Sequence, residues 1–181
     1  MATVEKTMTA DEYLALGDIG PSELIQGELI RMAPSGYDHG WIACNIAGEI
    51  RNFVKAHKLG RTSTTEAGFF ISHNPDTVRA PDVAFVRAER VPPAGQKKFF
   101  DGPPDLAVEV LSPDDRSSEV NAKIYDWLRA GCVQVWVVDP QNKTVMVYRN
   151  RSEAAVFTLE DTLIAEELLP GFSLPVAEIF E

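Results

Sequence analysis

The stretch Pro104-Asp105-Leu106-Ala107-Val108-Glu109-Val110-Leu111-Ser112-Pro113 sets one carboxylate inside an apolar run that stops abruptly at a proline. Such a run, bounded by breakers on both sides, reads as a buried strand. A lone charge there costs on the order of several kcal/mol unless it is paired, protonated or bound to a metal. Twenty-seven residues upstream, Arg79-Ala80-Pro81-Asp82-Val83-Ala84-Phe85-Val86 repeats the pattern around Asp82. Fourteen residues after Glu109 comes Lys123, within a helical pattern. Two acids in apolar strands, followed by a lysine on a helix, point to a carboxylate metal site with an ammonium beside it.

The rest of the chain supplies an α/β frame for that pattern. Residues 8–16 predict a short helix with Thr9 as N-cap and Glu12 closing a capping box. Residues 23–32 read as two strands around a Gln26-Gly27 turn. Over residues 38–57, Ile42, Ile46, Ile50 and Phe53 recur at helical spacing. Glu49 falls within that stripe and His39 lies near the same face. Glu49 is either a flank residue reaching for water or an active-site acid. Strands are expected at 61–65, 68–72 and 81–86, then a Pro-, Gly- and Lys-rich mobile loop or lid over 87–104. A helix is expected from Ser112 as N-cap, through Val120, Ile124, Trp127 and Leu128, to Gly131. A hairpin over 133–138 and 144–149, a strand at 155–159 and one short element at 176–180 complete the order. This order predicts a mixed sheet flanked by helices, in one domain spanning 1–181 with the acidic segment 160–181 packed on it.

Charge narrows the partners. The net charge is −10, and residues 160–181 hold six acids and no Lys or Arg, leaving 1–159 with 17 basic against 21 acidic groups. Nucleic-acid binding favours a basic face. Here the basic residues form only loose groupings: Arg87 with Arg90, Lys97 with Lys98, and Lys55 with Lys58. Cys44 and Cys132 are far apart in apolar segments and read as small core residues, with no CxxC pair for zinc. No apolar run is long enough for a bilayer span, and residues 1–6 lack the start of an export signal, so a cytoplasmic protein is expected, without membrane contact.

Strand alternation places Glu109 on one face with Ala107 and Leu111, and Asp82 with Ala84 and Val86. If the strands are neighbours, the alanines leave room around the two acids. Repulsion between them is relieved by a hard cation such as Mg²⁺. Lys123, at the edge of its helix's buried face, can reach back to Glu109. Read one at a time, each residue has a structural alternative. Asp82 can be a strand-start residue, Glu109 a buried acid paired with Arg79 or Lys123, Lys123 a solvated helix residue, and His39 a helix cap.

Taken in order, Pro81-Asp82, Glu109-Val110-Leu111-Ser112-Pro113, Lys123-Ile124-Tyr125 and the run from Gly131 to Pro140 resemble the Uma-type restriction endonuclease family of the PD-(D/E)XK nuclease superfamily. The segment from Glu23 to Leu29, His39, and Leu169-Pro170-Gly171-Phe172 extend the resemblance over nearly the whole chain. The resemblance implies a restriction-endonuclease-like fold and Mg²⁺- or Mn²⁺-dependent hydrolysis of DNA. It implies metal ligation by Asp82, Glu109 and the main chain of Val110, with Lys123 assisting the attacking water. Leu111 stands where the superfamily places its lysine, so Lys123 would act from the following helix. Glu49 matches the superfamily's first-helix acid, and Glu28 and His39 are further candidates. Such nucleases often pair so that each copy cuts one strand, which makes a homodimer the expectation.

Two other classes fit the residues: a non-catalytic interaction protein that keeps the nuclease fold, motivated by the acidic charge, and a carboxylate-metal hydrolase of small phosphoesters. The chain contains no G-x-S-x-G, H-E-x-x-H, P-loop or G-x-G-x-x-G pattern, which counts against serine hydrolases, zinc proteases, P-loop enzymes and dinucleotide-dependent oxidoreductases.

Overall fold

A computed structural model describes residues 7–65 and 67–181; the reading of an absent export signal falls on 1–6, outside the described residues. The elements run α1 (Ala10–Ala15), β1 (Ser22–Ile25), β2 (Glu28–Arg31), α2 (Tyr37–His57), β3 (Gly60–Thr64), β4 (Phe69–Ser72), β5 (Thr77–Arg79) and β6 (Val83–Arg87). They continue with β7 (Phe100–Asp101), β8 (Leu106–Val110), α3 (Ser117–Ala130), β9 (Gln134–Asp139), β10 (Thr144–Asn150), β11 (Glu153–Phe157), β12 (Thr162–Ile164), β13 (Ser173–Pro175) and α4 (Val176–Ile179).

A six-stranded mixed sheet in the order β11-β10-β9-β8-β6-β3 forms the centre. Its one parallel pair, β8 with β9, is joined by the α3 crossover, as parallel neighbours require. Alternation along the strands sorts the side chains into two cores. Val83, Phe85, Leu106, Val108, Val110, Trp136 and Val138 face α2 and the C-terminal segment. Ala84, Val86, Ala107, Val135 and Val137 face Ile124 and Trp127 of α3 and Phe69 of β4. β4 belongs to a five-stranded sheet ordered β2-β1-β5-β4-β7.

Local signals account for several of the element ends. Thr9 caps α1, and Glu12 returns a bond to the Thr9 N–H at 2.9 Å, completing the capping box. α3 stops at Gly131, whose φ of +103° suits glycine. β3 can lie against β6 only because Gly60 carries no side chain: a Cβ there would sit 2.0 Å from the Val86 carbonyl oxygen.

Several expectations change in detail. α3 begins at Ser117 with Arg116 as N-cap, not at Ser112. The Asp115 carboxylate instead accepts from the Ser112 N–H at 2.8 Å, closing a separate turn before the helix. β5, three residues long, was too short to show a period. The 87–104 segment is tied down at both ends: Arg90 pairs with Asp105 at 3.0 Å and β7 joins β4. Cys132 is buried, but Cys44 is exposed, because the buried positions of α2 are Ile42, Ala43, Ile46, Ala47, Ile50 and Val54. The acidic tail holds a strand pair as well as α4, and it inserts Leu163, Leu168, Leu169, Phe172, Leu174 and Ile179 into the larger core. No described helix is long and apolar enough to cross a membrane.

Candidate active site

Four elements converge where the two sheets meet. β6 and β8 are antiparallel neighbours with Val83 opposite Val108 and Ala84 opposite Ala107, so Asp82 and Glu109 come to the same end of adjoining strands. The Val110 N–H donates to Asp82 Oδ2 at 2.8 Å, which clamps the aspartate to the strand carrying Glu109. His39, in the first turn of α2, brings Nε2 to 3.3 Å from the same oxygen. Asp82 Oδ1 has no partner among the described residues and is free to take a ligand.

Glu109 is buried and has both oxygens engaged. The Trp127 indole N–H donates to Oε1 at 2.7 Å, and Lys123 Nζ lies 2.8 Å from Oε2. Lys123 and Trp127 are four residues apart on α3, so one helix face delivers both donors. The ammonium also contacts Glu23 Oε1 at 3.4 Å and the Ala80 carbonyl at 3.3 Å. Its three hydrogens are therefore all directed at this chain, two of them through long contacts that another oxygen can displace.

Glu23 belongs to a second layer. It is buried on β1, accepts from the Ala80 N–H at 3.0 Å, and pairs with Arg79 Nη1 at 2.7 Å. Arg79 in turn pairs with Asp126 of α3 at 2.6 Å. The five-stranded sheet thus fixes the lysine-bearing helix and the Ala80–Asp82 backbone through one buried ionic network.

These environments set the charges. Burial pushes the Glu109 carboxyl up to about 7, against the opposing pull of Lys123, and nearby Asp82 raises it further. Burial acts to lower the Lys123 ammonium, but the Glu109 and Glu23 carboxylates outweigh it and raise its pKa, so the group stays cationic. The hydrogen bond to Asp82 raises His39 against the effect of burial, helped by the Asp82 charge and the Val110 backbone.

Of the sequence candidates, the fold brings together Asp82, Glu109, Val110, Lys123 and His39. It leaves two apart: Glu49 is exposed on α2 and Glu28 is exposed on β2, the edge strand. Glu23 takes the interior position in that hairpin. Glu23, Arg79, Asp126 and Trp127 were not singled out as site residues. The available signal was Arg79 itself, a guanidinium in a strand pattern that must find acids, and Trp127, whose N–H must find an acceptor when buried.

The donor set suits a hard divalent cation. Two carboxylates held at one strand end by backbone and indole donors, one with a free oxygen and the other with its proton affinity raised chiefly by burial, match the one or two protein carboxylates that Mg²⁺ takes with water. Among the described residues no cluster of three or more His, Cys, Asp or Glu ligands forms, so an all-protein cage for a softer metal is not offered.

Comparison with known proteins identifies the fold and the family. A crystal structure of a "putative nuclease belonging to DUF820" from Anabaena variabilis superposes with a TM-score of 0.84 at 27% identity, over 96% of this chain and 97% of that one. No curated protein matches the chain. The fold is restriction-endonuclease-like. The family model for Uma2, described as "Putative restriction endonuclease", matches residues 10–177, and the chain belongs to that family.

Proposed function

We propose that the chain is a Mg²⁺- or Mn²⁺-dependent endonuclease that hydrolyses DNA phosphodiester bonds. The observation that carries this reading is the buried Glu109 carboxylate held 2.8 Å from the Lys123 ammonium, on the strand whose backbone clamps Asp82. Asp82 and Glu109, with the Val110 carbonyl, would hold the cation. A divalent ion bound there supplies charge neutralisation at the scissile phosphate and lowers the pKa of a nearby water.

This chain's own residues do the rest. Lys123 presents a fixed positive charge, and its two long contacts, to Glu23 and Ala80, are the ones a phosphate or water oxygen replaces. His39 is a positioning residue that holds Asp82 from the α2 side. The Arg79 network keeps α3 in register with the strand ends. A water oxygen attacks phosphorus and gives up a proton to solvent, the bond to the 3′-oxygen breaks, and that oxygen takes up a proton from solvent as it leaves. Pairing of two copies, so that each cuts one strand, is part of this reading.

Nicking of a supercoiled plasmid in Mg²⁺ or Mn²⁺ tests the reading. Asp82→Asn and Glu109→Gln are each expected to fall to background while melting as folded proteins; undiminished nicking by both removes the mechanism. A second reading, a nuclease fold retained for binding without cleavage, is favoured by the engagement of both Glu109 oxygens within the chain. Titration calorimetry separates the two: absence of Mg²⁺ and Mn²⁺ binding by the wild type selects the second.

A further inference from the structure

Two adjoining clefts, of about 550 and 480 Å³, flank the edge strand β3 and share Arg61 and Val91. Arg61, Lys97 and Lys98 line the larger, and Arg51, Lys55, Lys58 and Arg61 line the smaller. All six cations are exposed, and none forms an ion pair with a described residue. Among the described residues no Asp or Glu lines either cleft, in a chain whose net charge is −10. Pairs that are loose in sequence, Lys55 with Lys58 and Lys97 with Lys98, become one basic field only in the fold.

Fold stability does not account for this grouping. The last turn of α2 favours cations, which explains one of its charges. Yet Arg51 and Lys55 are four residues apart on α2, so the helix carries like charges on neighbouring positions, which repel. Lys58 also ends α2 at φ 56° and ψ 35°, a left-handed conformation usually left to glycine or asparagine. Lys97 and Lys98 arrive from another segment altogether, next to an apolar wall of Phe69 and Phe100 that concentrates the field.

We propose that these clefts are a docking surface for the sugar–phosphate backbone of a nucleic acid, with the six cations displacing its counterions. The proposal deepens the nuclease reading and rests on it for the role of the bound DNA. β3 connects the two places: Gly60 pairs with Arg87 at the cleft end, and the Thr65 N–H donates to the Asp82 carbonyl at 3.1 Å at the other. Arg61 to Thr65 covers about 13 Å of strand. At about 3.4 Å per base pair, that is about four steps of duplex. A duplex laid along β3 therefore offers Asp82 and Glu109 a phosphate about four base pairs from those held in the clefts.

The test is binding of a short fluorescent DNA duplex to the full chain in EDTA, over a series of salt concentrations. The logarithm of wild-type affinity is expected to fall against the logarithm of salt with a slope of about −5, from about 0.9 per neutralised phosphate. In Lys97→Gln/Lys98→Gln, whose exposed positions leave folding unchanged by melting, the slope is expected to be shallower by about 2 and low-salt affinity about 10-fold weaker. Unchanged slope and affinity in that variant, or equal wild-type binding of poly-glutamate, overturns the proposal. Wild type that binds DNA with this slope but never nicks it in any divalent metal overturns the nuclease reading and leaves the surface standing. Nicking by the wild type, together with unaltered binding by Lys97→Gln/Lys98→Gln, does the reverse.

Discussion

Arg79 is 6% exposed and divides its donors between Glu23 at 2.7 Å and Asp126 at 2.6 Å; Arg61 is exposed and meets no described carboxylate. Lys123 and Lys97 differ in the same way. Beneath α3 the cations Arg79 and Lys123 are neutralised by this chain's own acids, so their field is spent on holding elements together. Beside β3 the cations are left unneutralised, which is costly within the fold and useful only toward an external anion. A chain that is acidic overall can thus keep a local positive field, because no described Asp or Glu lines these clefts. The difference also shows why net charge alone misjudges partners.

The largest effect should come from the paired side. Arg79→Ala takes the guanidinium from two carboxylates, one of them buried, and is expected to cost about 3–5 kcal/mol in urea unfolding. Arg61→Gln, with no partner to strand, should stay within about 0.5 kcal/mol. Similar costs for the two variants would erase the distinction between the groups.

Acidity offers the next test, on the metal-free protein. Glu109 is raised from its ordinary 4.5 to about 7 in the folded state, so the fold binds its proton more tightly than the unfolded chain does. Its contribution is fully present below about pH 4.5 and is lost as pH rises through about 7, a fall of about 1–3 kcal/mol. His39, also raised, adds a slope of the same sign. Lys123 stays charged across this window and adds none. Denaturation from about pH 5 to pH 8 should show stability declining, and Glu109→Gln should remove most of the decline. Mn²⁺ affinity should run the other way, rising toward about pH 7, because the metal needs the carboxylate ionised. A flat stability profile in the wild type would mean that the Lys123 contact, rather than burial, governs Glu109.

How much of this the sequence disclosed depends on the range over which each feature is decided. Asp82, Glu109 and Lys123 were legible because strand alternation and helix spacing place them locally. Glu23 is not distinguishable from Glu28 in the sequence because each lies in a short strand of the same hairpin, and only pairing with β5 decides which strand is interior. Glu49 looked inward on a stripe drawn through Phe53. The buried stripe ends instead on Val54, which turns Glu49 toward solvent. The apolar residues of the C-terminal segment were hidden by irregular spacing among six acids, since a two-strand pair and one helical turn show no sustained period. The basic clefts depend on contacts between segments about forty residues apart, which no local pattern encodes.

The smallest effect is the most discriminating, because it separates stability from function by sign. Arg51 and Lys55 stand four apart on α2, both exposed and both without a described ion-pair partner. Arg51→Glu replaces a repulsive pair by a glutamate placed N-terminal to a lysine, the favourable orientation at this spacing. Removing the repulsion and adding the attraction should stabilise the protein by about 0.5–1 kcal/mol. The same change places a negative charge in the smaller cleft, so DNA affinity should fall by about 10-fold or more at low salt. Urea unfolding and duplex binding on one preparation read both quantities. If the arginine served the fold, stability would drop with the substitution. A gain in stability joined to a loss of binding identifies a residue kept at the expense of its own helix for the sake of an anion that the chain does not contain.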